Sequence, residues 1–225
     1  MWNGKMKAFT LSYDDGIESD RKFLEIINRY GLKCTFNLNS EILGTDDSWQ
    51  CYDLTVKRLP LEGIEELYAG HEIAVHGAKH LAPDSLDDEG LVKEFFQDKE
   101  NLTKLFGTVP VGMAYAYGNY NDKAIEYLKS IGIRYGRTVE DSGNFDLQKD
   151  LMHFKPTCHH KNEHVLEMLD DFISMKPDKP QLFYLWGHSY EFDSENRWDL
   201  LEDICKKIAG HDDIFYGTNR EVFDL

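Results

Sequence analysis

Short strand-like runs separated by helical stretches recur along the whole chain, and this alternation restricts the fold more than any other feature. The runs cover residues 8–13, 34–38, 72–75, 111–115, 133–139, 182–186 and 214–216, each rich in β-branched or aromatic side chains. Helical patterns cover residues 17–30, 85–106, 121–131, 164–175 and 195–209. In the first, Phe23, Ile26, Ile27 and Tyr30 share one face and Gly31 follows as a stop. In the second, Ser85 with Asp88 three positions on reads as an N-terminal capping pair, and Gly107 ends the helix. Repeated strand–helix units imply parallel strands with helices outside. Seven strands suit a single α/β domain, residues 1–225, built as a distorted, incomplete (β/α) barrel. An open doubly wound sheet is the alternative, since periodicity alone does not separate the two.

In either architecture, chemistry belongs at the C-terminal ends of the strands, and unusual polar residues fall there. The first run ends in Tyr13-Asp14-Asp15-Gly16. Aspartates at such a point often only cap a helix or form a turn. Two neighbouring carboxylates also offer two roles, one binding a cation and one taking a proton from water. The third run leads into His76-Gly77-Ala78-Lys79-His80. In a helical turn, that spacing puts both imidazoles on one side. Asp15, His76 and His80 together make a three-ligand set with open positions, suited to zinc, with cobalt or nickel as alternatives. The 182–186 run leads into Gly187-His188, where a histidine is placed to act as a general acid. Trp186 and Tyr190 flank it as candidates for stacking on a substrate ring, although aromatics at strand ends commonly belong to the core. Residues 156–160, Pro-Thr-Cys-His-His, read as a solvent-exposed loop, with pocket lining or a second metal as the less favoured reading.

Four motifs in this order, Tyr13-Asp14-Asp15-Gly16, His76-x-x-x-His80, Ala116-Tyr117-Gly118 and Leu185-Trp186-Gly187-His188, resemble those of the polysaccharide deacetylases, the NodB-homology domains of carbohydrate esterase family four. The resemblance implies a distorted (β/α) barrel. It implies Asp14 as catalytic base, Asp15, His76 and His80 as ligands of a divalent cation, the Tyr117 N–H as oxyanion donor and His188 as general acid. The chain departs from the family in its third motif, where residues 114–117 read Ala-Tyr-Ala-Tyr and lack the usual arginine. Arg137, near the end of the 133–139 run, is placed to supply that guanidinium, with a surface or core-edge ion pair as the plain alternative. The acid that supports the histidine has no clear match, and Glu140, Asp141 and Asp193 are the candidates.

The expected reaction is hydrolysis of acetyl groups from N-acetylated, less readily O-acetylated, sugars or polysaccharides. Two rivals remain: hydrolysis of a non-sugar amide or cyclic imide, and a carbohydrate-binding module without catalysis. A net charge of -16 provides no basic footprint for nucleic acid and disfavours anionic membrane surfaces. No apolar run nears the roughly 18 residues of a membrane span. The first residues lack the pattern of a secretory signal, so a cytoplasmic protein is expected, or the mature form of an exported one. Cys34, Cys51, Cys158 and Cys205 are scattered and read as free thiols. Oligomeric state is left open.

Overall fold

The computed structural model describes residues 1–225. Its main sheet contains β1 (Lys7–Asp14), β2 (Cys34–Leu38), β5 (Glu72–Val75), β6 (Gly112–Ala114), β7 (Tyr135–Arg137), β8 (Cys158–His159), β9 (Gln181–Gly187) and β10 (Ile214–Tyr216). The remaining strands, β3 (Ser48–Cys51) and β4 (Leu54–Lys57), form a separate antiparallel hairpin. Seven parallel strands follow the order β7-β6-β5-β2-β1-β9-β8. β9 runs along one edge of β1. The other edge is shared, by β10 against Lys7 to Phe9 and by β2 against Leu11 to Asp14. The sheet curls on itself because Phe154 bridges Arg137 while Thr157 and β8 pair with β9. The expected distorted, incomplete barrel is therefore observed.

Alternation along the strands sets the layers. In β1, Phe9, Leu11 and Tyr13 face outward into a core of 39 buried residues beneath the helices. Ala8, Thr10, Ser12 and Asp14 occupy the alternate positions, which face the barrel interior. β9 divides the same way, Phe183 and Leu185 outward, Leu182, Tyr184 and Trp186 inward. Both strands are buried on both faces, but only β9 reads as a continuous apolar run, whereas β1 alternates because its inward positions carry Thr10, Ser12 and Asp14. The helices α1 (Asp20–Arg29) and α8 (Trp198–Ile208) pack together through Phe23, Ile26 and Ile27 on one side and Leu201, Ile204 and Cys205 on the other. Each such fully buried side chain contributes about 1.5–3 kcal/mol. Trp2, Val222 and Phe223 fill the end of the barrel away from the strand C-termini, and the Trp2 indole donates to the Val222 carbonyl at 2.8 Å.

Several expectations need correction. The 85–106 helix starts later: Asp87 caps it by accepting from Gly90 N–H, and Ser85 lies in a preceding 3-10 turn. A π turn, Val92–Phe96, interrupts it between α3 (Asp88–Leu91) and α4 (Gln97–Phe106). Residues 195–197 precede α8 rather than belonging to it. The 133–139 strand is only three residues long. Of the seven expected strands, β10 stands beside the ring and the unforeseen β8 completes it. Residues 156–160 are not an exposed loop, because Thr157, Cys158 and His160 are all buried. The cysteines are free, three of them buried. No helix is long and apolar enough to cross a membrane.

Candidate active site

The parity of the inward rows brings the polar strand ends together. Asp14 ends the inward row of β1, and His188 continues that of β9 one residue beyond the strand. Because Tyr13 pairs with Gly187, the next residues on the two neighbouring strands are Asp14 and His188. His76 likewise continues the inward row of Glu72 and Ala74 on β5. The three meet at the mouth of a cavity of about 590 Å³, lined also by Asp15, His80, Tyr117, Trp186, Tyr190, Trp49 and Arg58.

His76 and His80 do not share a helical turn. They are joined by a loop in which Gly77 has φ 86° and His80 φ 61°. A side chain on Gly77 would run into the Glu94 carboxylate. Glu94, placed by the π turn, accepts from the N–H groups of Lys79 at 3.1 Å and Leu81 at 2.7 Å. The Asn39 amide holds the carbonyls of His76 and Gly77, and Asp98 accepts from the N–H groups of His76 and Ser40. These bonds fix the two rings 4.7 Å apart.

Three donor atoms converge here: His76 Nε2 and His80 Nε2 lie 3.8 and 3.7 Å from Asp15 Oδ1. These separations exceed hydrogen-bond range and leave room for an ion bonded at about 2.1 Å. His76 Nδ1 donates to the Ala114 carbonyl at 2.8 Å, which directs the Nε2 lone pair into the cluster. Burial, reinforced by His76, lowers the His80 pKa to about 4 and keeps it a neutral ligand at neutral pH. Asp15 has φ 87°, a strained value for a non-glycine residue, and Arg58 steadies it by donating to its carbonyl at 2.7 Å. The donor set therefore fits a divalent transition metal with open positions.

Asp14 is almost wholly buried. Its Oδ1 accepts from the Asn37 amide at 2.8 Å and its Oδ2 pairs with Arg137. Burial alone would raise this carboxyl's pKa, but Arg137, with His76 and His188, holds it below the usual range. Arg137 comes from β7, which is not adjacent to β1, so its side chain crosses the interior. There it lies against the Trp186 ring, 4.3 Å from the ring centre. Arg137 is thus neither a surface nor a core-edge pair.

His188 Nε2 lies 3.8 Å from Asp14 and 3.9 Å from Asp15. Its Nδ1 faces Glu191 at 3.3 Å. Burial lowers its pKa, but the Glu191 hydrogen bond and then Asp15 and Asp14 outweigh that and raise it to about 9. None of the three acids anticipated for this role touches His188. Glu140 pairs with Lys155, Asp141 binds the Trp186 indole and His159 N–H, and Asp193 accepts from Ser19 and Trp198. Glu191 was missed, although its signal was present: His188-x-x-Glu191 has capping-box spacing, and the Glu191 carboxylate accepts from His188 N–H at 3.1 Å at the start of α7 (Ser189–Ser194).

Glu191 is also the centre of a histidine cluster. His159 Nδ1 accepts from Lys161 N–H, so in the neutral ring Nε2 carries the proton and donates to Glu191 at 3.1 Å. The buried His160 accepts a hydrogen bond from the Tyr13 hydroxyl at Nδ1 and turns Nε2 toward the same carboxylate at 3.5 Å. These protons make His159, His188 and Glu191 a hydrogen-bonded group rather than a second metal site. Tyr117 has φ 58°, and its N–H finds no acceptor within the protein. Its ring stands edge-on to His80, 4.6 Å between centres.

The family model for polysaccharide deacetylases matches residues 3–136, which is 134 of the 225 residues. None of the curated proteins compared with the chain matches it. Among solved structures, a putative polysaccharide deacetylase from Mycobacterium smegmatis is similar at 16% identity and TM-score 0.70, covering 98% of this chain and 90% of that one. The chitin deacetylase of Colletotrichum lindemuthianum is similar at 15% identity and TM-score 0.63, covering 97% and 88%. The Streptococcus pyogenes deacetylase PplD, in complex with acetate, is similar at 19% identity and TM-score 0.51. That match covers 58% of this chain and 55% of PplD, so the chain spans only about half of that relative. At these identities the likeness to solved structures concerns the fold.

Proposed function

The chain belongs to the polysaccharide deacetylase family, a family of hydrolases, and from that premise we propose that it removes acetyl groups from N-acetylated sugars or polysaccharides, with residues 1–225 acting as one catalytic domain. The observation that carries this reading is the convergence of Asp14 and His188 on the Asp15, His76 and His80 donor set in one open cavity. A divalent cation held by those three residues, zinc or else cobalt or nickel, would polarise the acetyl carbonyl and acidify the attacking water.

Asp14 takes the proton from that water. Its lowered pKa keeps it ionised at neutral pH but makes it a weak base, which suits an acidified water and no other. The water oxygen attacks the carbonyl carbon, and the resulting oxyanion on the substrate accepts from the Tyr117 N–H. His188, protonated below about pH 9, gives its Nε2 proton to the departing nitrogen as the C–N bond breaks. Acetate and the free amine leave. Arg137 and Asn37 orient Asp14, Trp186 supports Arg137, and Glu191 orients His188. The absence of a third-motif guanidinium is what favours the rival reaction on a non-sugar amide or imide, and Arg137 beside Asp14 supports the deacetylation reading instead.

The test is acetate release from a panel of N- and O-acetylated sugars by metal-stripped protein, with and without added zinc or cobalt. Cation-dependent release is the expected result. Equal release from stripped protein would refute the role of the three ligands, and no release with a bound cation would refute deacetylation.

A further inference from the structure

His159 and His160, the two histidines of the 156–160 segment, have no part in the reaction described above. They stand at the end of β8, beside the turn from β9 into α7, and His160 N–H extends the pairing by donating to the Trp186 carbonyl at 2.9 Å. Consecutive side chains of a strand point to opposite faces, so the two rings pass on either side of that turn. His159 meets the inward Trp186 ring edge-on, with ring centres 4.5 Å apart. His160 lies outward between Tyr13 and Phe192, where a side chain on Gly187 would run into it. Both rings nevertheless approach one atom, Oε2 of Glu191, which is the oxygen that faces His188. The His188 N–H reaches it at 3.1 Å, His188 Nδ1 at 3.3 Å and His159 Nε2 at 3.1 Å, while His160 Nε2 stands off at 3.5 Å. Burial would raise the Glu191 pKa, but the His159 hydrogen bond and then that of His188 hold it well below the carboxylate range.

We propose that His159 is a positioning residue for the reaction: its Nε2–H clamps the Glu191 carboxylate so that Oε2 holds the His188 ring with Nε2 aimed at the leaving nitrogen. The inference rests on the deacetylation reading for its consequence. A glutamate side chain turns about three bonds, and Glu191 has a competing partner. Its Oε1 meets Lys161 Nζ at 3.7 Å, and that ammonium pairs more closely with Glu195, at 2.5 Å. Without the His159 donor, the carboxylate is free to swing toward Lys161 and leave His188 Nδ1 without an acceptor. His159 itself cannot turn away, because each of its polar atoms is tied down. Its N–H donates to Asp141 at 3.0 Å, the acid that also holds the Trp186 indole, and its Nδ1 accepts from Lys161 N–H at 3.1 Å. The plainer account, in which His159 only fastens β8 to α7, predicts that any substitution which keeps the fold affects every substrate alike.

The experiment compares H159N and H159Q in the zinc-loaded full chain. Asparagine keeps an acceptor for the Lys161 N–H but has no donor at the Nε2 position, whereas glutamine reaches that position with its amide N–H. On the N-acetylglucosamine dimer, H159N should lose about tenfold in kcat, a part of what a general acid contributes, with little change in KM. H159Q should recover most of that loss. The leaving group of p-nitrophenyl acetate departs without a proton, so H159N should lose much less on it. Equal losses in H159N and H159Q, equal losses on the two substrates, or an unchanged kcat on the sugar would overturn the proposal. A second readout needs no turnover. In nitrogen–proton NMR of the imidazole rings, the His188 Nδ1 proton should exchange slowly with solvent in wild type and H159Q, and rapidly in H159N. Equal protection in all three would overturn the proposal whatever the kinetics show. Protection that depends on His159 in a protein that releases no acetate from sugar would support the clamp and refute deacetylation.

Discussion

Replacing Glu191 with Gln removes the carboxylate opposite His188 Nδ1 while keeping a carbonyl of the same shape there. The Glu191 hydrogen bond is the largest influence raising the His188 pKa, which stands at about 9. Two unit charges about 4 Å apart interact by about 4 kcal/mol at an effective dielectric of about 20, equivalent to about 3 pH units. Solvent at the cavity mouth and the surviving Asp14 and Asp15 carboxylates reduce the net fall to about one or two units. A general acid works below its pKa, so the alkaline limb of the kcat profile should move down by that amount. The expected loss is about fivefold to fiftyfold at pH 9 and less than threefold at pH 6. Stability follows the same sign. A histidine whose folded pKa is raised stabilises the fold fully below its unfolded value of about 6.5. It loses that contribution as the pH rises through about 9. E191Q should therefore flatten the fall in Tm over that interval. The assay is acetate release between pH 5 and 10 at saturating cation, with an NMR titration of the His188 ring. An alkaline limb that stays in place in a folded E191Q protein would refute both the acid assignment and the electrostatic reasoning.

Asp14→Asn keeps the shape of the base but not its charge, so turnover should fall by about 10²–10⁴ while cation stoichiometry is unchanged; full activity would remove Asp14 from the base role. His80→Ala takes away one of three ligands, and cation affinity should drop at least about 100-fold by competition with a chelator; unchanged affinity would place His80 outside the site. Arg137→Met leaves a buried carboxylate without its partner and should cost about 3–5 kcal/mol of stability at neutral pH. In the wild type, the lowered Asp14 pKa stabilises the fold above its unfolded value of about 3.9 and loses that contribution on acidification. Urea unfolding at pH 3 and pH 7 should therefore show a smaller difference in the variant, and an equal one would argue that the pair is electrostatically idle.

The sequence determined the class of fold and the cast of the candidate site, because both rest on local regularities. Short apolar or alternating runs rich in β-branched and aromatic residues separate β1, β2, β5 and β9 from the period-3.6 patterns of α1, α5 (Asp122–Ser130), α6 (Val165–Ser174) and α8. A strand's C-terminal end is visible as the point where its apolar run stops, which is where Asp14, His76 and His188 stand. Elements too short to show a period escaped: the two residues of β8, the four-residue strands of the hairpin and the six residues of α7. The histidine pair was read at the right spacing but in the wrong conformation, because Gly77 and the Glu94 carboxylate, which bend that loop, act together only once the π turn is formed. Which side chains meet across the barrel was decided by the tertiary structure alone. Arg137 reaches Asp14 only because the sheet curls until β7 faces β1, and 123 residues separate the partners. Glu191 becomes the partner of His188, His159 and His160 only because β8 docks beside β9. Periodicity along a chain fixes which face a residue occupies, whereas contact across an interior depends on strand order, register and curvature, which arise from the packing of the whole chain.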